Sequence, residues 1–183
     1  MKISLFSFLI ILSFVNLLFS QIDTTSLNFY PLHNHDYWQY HSYSYEWWPY
    51  PYSFSSYYSL EVKGDTILGN GQEYKIVEKV HLDSLYTNYF FYERIDSSTM
   101  NVYRFDSFQP GGEYLIDSLE SLVGDSSKAS RSGFGISIGS YCDSIFDGNI
   151  LSTFTTTKRI KQIYLLHNEY HHLSYGFGVT YQY

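Results

Sequence analysis

Cysteine is almost missing from this chain: Cys142 stands alone among 183 residues. A single thiol cannot form an internal disulfide, so the fold must be held by its core and not by cross-links. Cys142 itself reads as a buried small hydrophobe. Basic residues are scarce too, 11 Lys and Arg against 18 Asp and Glu. An acidic surface repels phosphate backbones and no basic stripe is present, so nucleic acid is excluded as a partner. The one basic cluster, Lys158-Arg159-Ile160-Lys161, reads as a solvated strand face. No Gly-rich phosphate cradle, EF-hand loop or C-x-x-C pair occurs. The carboxylates are scattered through turns, so spacing nominates no acid–base pair and no catalytic residue.

The long apolar run is at the start. Lys2 precedes Ile3–Phe19, which is interrupted only by Ser4, Ser7, Ser13 and Asn16, and Ser20 then leads into polar sequence from Gln21. A basic start, an apolar middle and a small residue at the end are the marks of a secretory signal peptide, a helix over residues 1–20. A retained anchor fits less well, since a span needs about 20 apolar residues. No cysteine follows the run, which argues against a lipoprotein. Cleavage leaves one β-rich domain over 21–183, without a membrane span. Losing Lys2 leaves ten basic against eighteen acidic residues, a formal charge of −8. The expected location is secreted, cell-surface or periplasmic. The chain stops at Tyr183 inside an apparent strand, which suggests a sequence truncated at the C-terminus.

Aromatics are what the chain has most of, at 21% of residues. From Tyr37 to Tyr58, twelve of twenty-two residues are Phe, Trp or Tyr. Tyr37–Trp47 can alternate as a strand, and Pro49 and Pro51 then interrupt regular pairing because neither donates to a ladder. The clearest single unit is Asn88–Asp106, NYFFYERIDSSTMNVYRFD, two alternating runs joined by a turn-forming Asp96-Ser97-Ser98-Thr99. It predicts a β-hairpin, with Phe91, Glu93 and Ile95 on one parity and Tyr92, Arg94 and Asp96 on the other. Arg94 and Arg104 are placed to pair with Glu93, Asp96 or Asp106, as exposed pairs that tune register. Turns are expected at Gly64-Asp65, Gly69-Asn70-Gly71 and Asp147-Gly148-Asn149. Tyr74, Ile76 and Val80 share one side of a strand. Glu113–Val123 reads as a strand with a short helical turn, and Gly124–Gly133 as a flexible polar loop.

Four stretches are familiar. FYPLHNHDYWQY resembles the PL-x-x-G-N-x-W-x-Y opening of many exported proteins of Bacteroidota-like bacteria. LEVKGDTILGNGQEYKIVE resembles their V-x-x-D-T-x-x-x-G-K-x-Y-x-V run, YERIDSSTMNVYRFD their hairpin, and LSYGFGV a late L-x-x-G-x-G-L strand. The resemblance implies an exported antiparallel meander of unknown function, often followed by a C-terminal sorting domain that is absent here. His35 stands where those proteins usually carry glycine. The resemblance brings no catalytic residues.

Three constellations carry candidate chemistry. Gly135-Ile136-Ser137-Ile138-Gly139 matches the G-x-S-x-G nucleophile pattern, but no helix signal follows and no βαβ alternation exists, so it reads as strand. His167, Glu169 and His171 alternate, so on a strand they project from one face and form a potential divalent-metal site. The competing reading, a solvated strand face, is preferred, and no cofactor is assigned. Trp47, Trp48, Tyr50 and Tyr52 form an aromatic loop suited to stacking on a sugar ring or peptide, against the plainer reading that they fill the core.

These features predict an all-β fold, an antiparallel meander curled into an open or closed barrel, with a two-sheet β-sandwich as the alternative. The expected function is an exported, non-catalytic binding module with an aromatic-rich face, its partner a carbohydrate or an envelope protein. The alternative is a metal-dependent or carbohydrate-active enzyme.

Overall fold

The computed structural model describes residues 24–46, 52–82, 87–131, 139–164 and 168–182. The expected leader at 1–20 and the G-x-S-x-G serine lie outside these residues. The fold is all-β, two antiparallel sheets with no α-helix among the described residues. No helix there is long and apolar enough to cross a membrane. A 3₁₀ helix, Thr24–Phe29, leads in. The first sheet is a six-stranded meander: β1 (Tyr37–Glu46), β2 (Tyr52–Ile67), β3 (Glu73–His81), β4 (Tyr89–Asp96), β5 (Asn101–Phe105) and β6 (Glu113–Ser118). The second holds β7 (Ser126–Ser127), β8 (Gly139–Ile150), β9 (Thr153–Ile163), β10 (Asn168–Ser174) and β11 (Gly178–Gln182), again each beside its neighbour in sequence.

The first sheet curls into a half-barrel. Its bulges, at Val62/Gly64 and Val102/Tyr103, supply part of the bend, since an extra residue on one strand increases local twist. Gly64 therefore marks a bulge inside a single sixteen-residue β2 and not the expected turn. Residues opposite one another in an antiparallel pair share a face, and this builds rows across the concave side. Trp38, Leu60, Lys79 and Tyr89 form one row, and Val62, Val77 and Phe91 another. Glu93 faces Arg104, and Ile95 faces Val102, which in turn faces Asp117. Tyr74 is buried on the opposite side, its ring edge-on to Phe105 and its hydroxyl 2.5 Å from Glu113. β3 is thus covered on both faces.

The two sheets share a core. Phe29 and Tyr30 come from the lead-in, Met100, Val102, Ile116 and Leu119 from one end of the half-barrel, and Cys142, Ile160 and Leu173 from the second sheet. Burying one such aliphatic or aromatic side chain contributes about 1.5–3 kcal/mol, so this cluster is the main attachment between sheets. Cys142 is buried, as expected of a lone thiol that acts as a small hydrophobe. Lys158 is not solvated as expected: it is buried, donates to the carbonyls of Leu119 and Ser121, and lies over the ring of Phe29.

Local turns differ from expectation in two places. Asp147, Gly148 and Asn149 continue β8, and the reversal falls at Leu151-Ser152, where both residues have positive φ, as a two-residue hairpin requires. The Gly124–Gly133 stretch is tied down through Arg131 instead of hanging loose: Ala129 is fully buried and the Arg131 amide donates to Gln162. At His35, φ is 72°, a conformation glycine adopts without strain. The His35 amide donates to Val62 and the Val62 amide to Asp36, which anchors the lead-in on the half-barrel.

Candidate functional site

The concave face of the half-barrel keeps a half-open cavity of about 190 Å³. β1 to β4 supply its walls, β5 contributes Arg104, and the far side is closed by Tyr30–Leu32, Arg131 and the start of β11. The alternation of the sequence explains the lining: Trp38, Tyr40, Tyr58, Tyr89 and Phe91 fall on the strand face that carries the rows described above. Tyr40 and Tyr58 stack with centroids 5.0 Å apart, and the Tyr40 hydroxyl donates to the Val179 carbonyl, tying β1 to β11. The Lys79 ammonium sits 4.0 Å from the Tyr58 ring centroid and 5.6 Å from that of Tyr89. Burial raises the Tyr58 phenol, and more strongly that of Tyr40, above the ordinary tyrosine value, so both stay protonated donors at neutral pH.

A buried ionic network forms the floor. Glu93 is almost fully buried; its Oε1 accepts from Arg104 at 2.6 and 3.0 Å, and its Oε2 accepts from the Tyr30 hydroxyl at 2.8 Å. The Arg104 guanidinium lies over Phe91 and that of Arg131 over Tyr30. Arg131 pairs with Asp117, and the other carboxylate oxygen of Asp117 is 2.6 Å from His171 Nε2. Burial opposes charge on Asp117, but Arg131 and His171 outweigh it and hold the carboxyl below its usual range. Burial also lowers His171, against the pull of Asp117, so the imidazole is neutral at pH 7. An ionised carboxylate only accepts, so Nε2 carries the proton and donates to Asp117. Gln162 completes the network: its Nε2 donates to the Ile116 carbonyl and its Oε1 accepts from the Tyr164 hydroxyl.

No family model, curated protein or solved structure matches this chain.

The residues singled out from sequence fall as follows. Trp47, Trp48 and Tyr50 lie outside the described residues, and Tyr52 opens β2 opposite Glu46. His167 also lies outside them. Glu169 and His171 share a face of β10, but His171 is buried and spends Nε2 on Asp117, so the solvated-face reading of this strand does not hold at His171. Among the described residues no three His, Cys, Asp or Glu side chains form a metal-binding group. Arg104 pairs with Glu93 as anticipated, though the pair is not exposed. Arg94 pairs with Glu113 on the outer face. Asp117 and Arg131 were not singled out. Asp117 sits in a turn-like Asp-Ser pair and Arg131 in a polar stretch, and nothing local distinguishes them from solvated punctuation. The available signal was Glu93 on the apolar parity of the hairpin, a carboxylate that a core face cannot hold unpaired.

Proposed function

We propose that this protein is an exported, non-catalytic binding module whose site is the aromatic cavity of the half-barrel. The observation that carries this reading is the combination of stacked and edge-exposed rings with a rigid, paired ionic floor. Concave, mostly apolar sites with a few fixed polar groups are the usual form of a small-molecule site. The volume suits one ring: an apolar cavity of roughly 150 Å³ holds a benzene molecule. Tyr and Trp faces stack on the apolar face of a sugar or an aromatic ring, and their polar ends add hydrogen bonds. Export rests on the leader over residues 1–20, with the periplasm or the cell surface as destination, and the resemblance to exported β-meander proteins accords with it. A monosaccharide, free or at the end of an envelope glycan, is the carbohydrate partner that fits.

Titration with a panel of monocyclic sugars and aromatics, followed by intrinsic tryptophan fluorescence, tests this, since Trp38 lines the cavity. A saturable change is expected, weakened roughly ten-fold or more in Tyr58→Ala and Phe91→Ala, because a lost stacking partner is worth about 1–3 kcal/mol. A response that persists in those variants but vanishes in Trp47→Ala/Trp48→Ala moves the site to the Pro-flanked aromatic loop. No response to any panel member at millimolar concentration refutes the cavity as a ligand site.

A further inference from the structure

We infer that the cavity is the deep end of a longer track, in which an extended peptide adds as a strand to the outer edge of β1 and sends one aromatic side chain into the cavity. The inference rests on the cavity being a ligand site and names its occupant as a peptide side chain. The cavity does not end at Trp38 and Tyr40. Together with Pro31 and Val179 these residues also line a second, open groove of about 930 Å³, so the two spaces are continuous. Four consecutive residues of β1, Tyr37 to Tyr40, line that groove. Neighbours along a strand point to opposite faces, so a groove touching all four runs along the edge of the strand and not over one face.

That edge is open. β1 is the outermost strand of its sheet, and among the described residues no backbone hydrogen bond reaches Tyr37 to Tyr40 from the side away from β2. β11 meets it there through a side chain alone, the Tyr40 hydroxyl on the Val179 carbonyl. Natural edges are usually blunted by lysine, proline or a bulge. β1, YWQYHSYSYE, has none of these and pairs with β2 through ten residues without a shift of register. The wall across the groove is apolar: Leu151 is 87% exposed and held at a φ of 47°, and Ile150 and Phe177 share the wall. A leucine left bare in that conformation is strained, and such strain collects where ligands are clamped.

Among candidate occupants a peptide matches best. Backbone donors and acceptors repeat along a strand edge at a spacing that another peptide backbone reproduces and a sugar chain does not. Side chains of an added strand alternate, so every second one lies over the concave face beside Trp38 and Tyr40, where the cavity opens. The groove asks for no charge: no Lys or Arg lines it, and its one carboxylate, Asp36, accepts from the His33 amide at 2.7 Å. A second copy of the chain fits less well. The ten-residue edge is about 33 Å long and one strand thick, roughly 330 Å², against the roughly 800 Å² per partner of a stable complex. The partner that fits is an uncharged, extended peptide segment carrying an aromatic residue.

Fluorescence polarisation of labelled, capped heptapeptides against the full chain tests this. The probes alternate threonine and glutamine around a central phenylalanine, tyrosine or alanine. The aromatic probes should bind, and alanine at the centre should weaken them roughly ten-fold or more, the effect of losing a buried ring. A strand pairs with an edge through alternate residues only, so N-methylation of one alternate set should abolish binding and of the other set leave it. Leu151→Gly removes the facing wall without straining the turn, since glycine adopts that φ freely. It should weaken the peptides several-fold and leave the response to the monocyclic panel unchanged. Equal loss from both N-methylated sets, equal binding with alanine at the centre, or peptide affinity unchanged in Leu151→Gly overturns the inference. Silence of the peptides while the monocyclic panel binds overturns the peptide and leaves the cavity reading intact. Silence of both overturns the cavity reading itself. A dimer in sedimentation that no peptide dissociates puts a second copy on the edge and likewise overturns the peptide.

Discussion

Replacing Asp117 with alanine removes the only carboxylate paired with Arg131 among the described residues and the acceptor of His171 Nε2. Asp117 is fully buried and Arg131 nearly so, and water does not take over either role at low cost. Breaking a buried pair from one side costs about 3–5 kcal/mol, because the surviving charge is left uncompensated. For a domain of this size each kcal/mol lowers Tm by roughly 2–4 °C, so the expected loss is about 6–20 °C. Asp143→Ala is the control: it breaks an ion pair with Arg159 in which both side chains are more than a third exposed, worth about 0–1 kcal/mol. Urea titration with far-ultraviolet circular dichroism reads both, with the slope checked so that midpoint shifts report stability. The double variant Asp117→Leu/Arg131→Leu should recover part of the loss, with a coupling of about 0.5–3 kcal/mol, since the orphan charge leaves with its partner. If Asp117→Ala falls within about 1 kcal/mol of the parent, the network is not the dry, obligatory pairing described and the floor of the cavity must be wet.

Acid pH should weaken the fold in two steps. Burial holds His171 below its ordinary value of 6.5, so the unfolded chain takes up that proton first; the contribution is complete above that pH and is lost as pH falls through the lower folded value. His172, lowered by burial as well, adds to the same step, and Asp117 gives a second one below its ordinary value of 3.8. His171→Gln should flatten the upper step in urea midpoints measured from about pH 8 to pH 5, and a fold that grows more stable over that descent contradicts the assignment. Cys142 is 2% exposed and burial raises its thiol, so a thiol reagent should label it only as the protein unfolds in urea. Labelling in native buffer at the rate of a free exposed thiol would show that this part of the core opens.

Much of the architecture is legible in residue order. Period-two alternation in Tyr89–Phe105 predicts the hairpin that the structure contains, and the Gly69-Asn70-Gly71 turn and the strand ending at Ser118 follow from the same local chemistry. These are properties of neighbours along the chain, so the chain alone determines them. Gly64 shows the limit: a glycine with room on every side serves a turn or a bulge equally, and only pairing with Ile76 decides for the bulge. The site belongs to the second kind. Asp117 meets Arg131 fourteen residues later and His171 fifty-four residues later, through a shared core between two sheets. Whether an aspartate or an arginine is solvated or buried depends on what covers it, and that cover comes from strands remote in sequence. Composition by itself made the protein aromatic, acidic and without an internal disulfide, and alternation along the chain made it all-β. Which rings face an open cavity, and which charges must neutralise one another beneath it, was decided by the curl of one sheet against the other, because parity sets the face of a strand but only packing determines what that face meets.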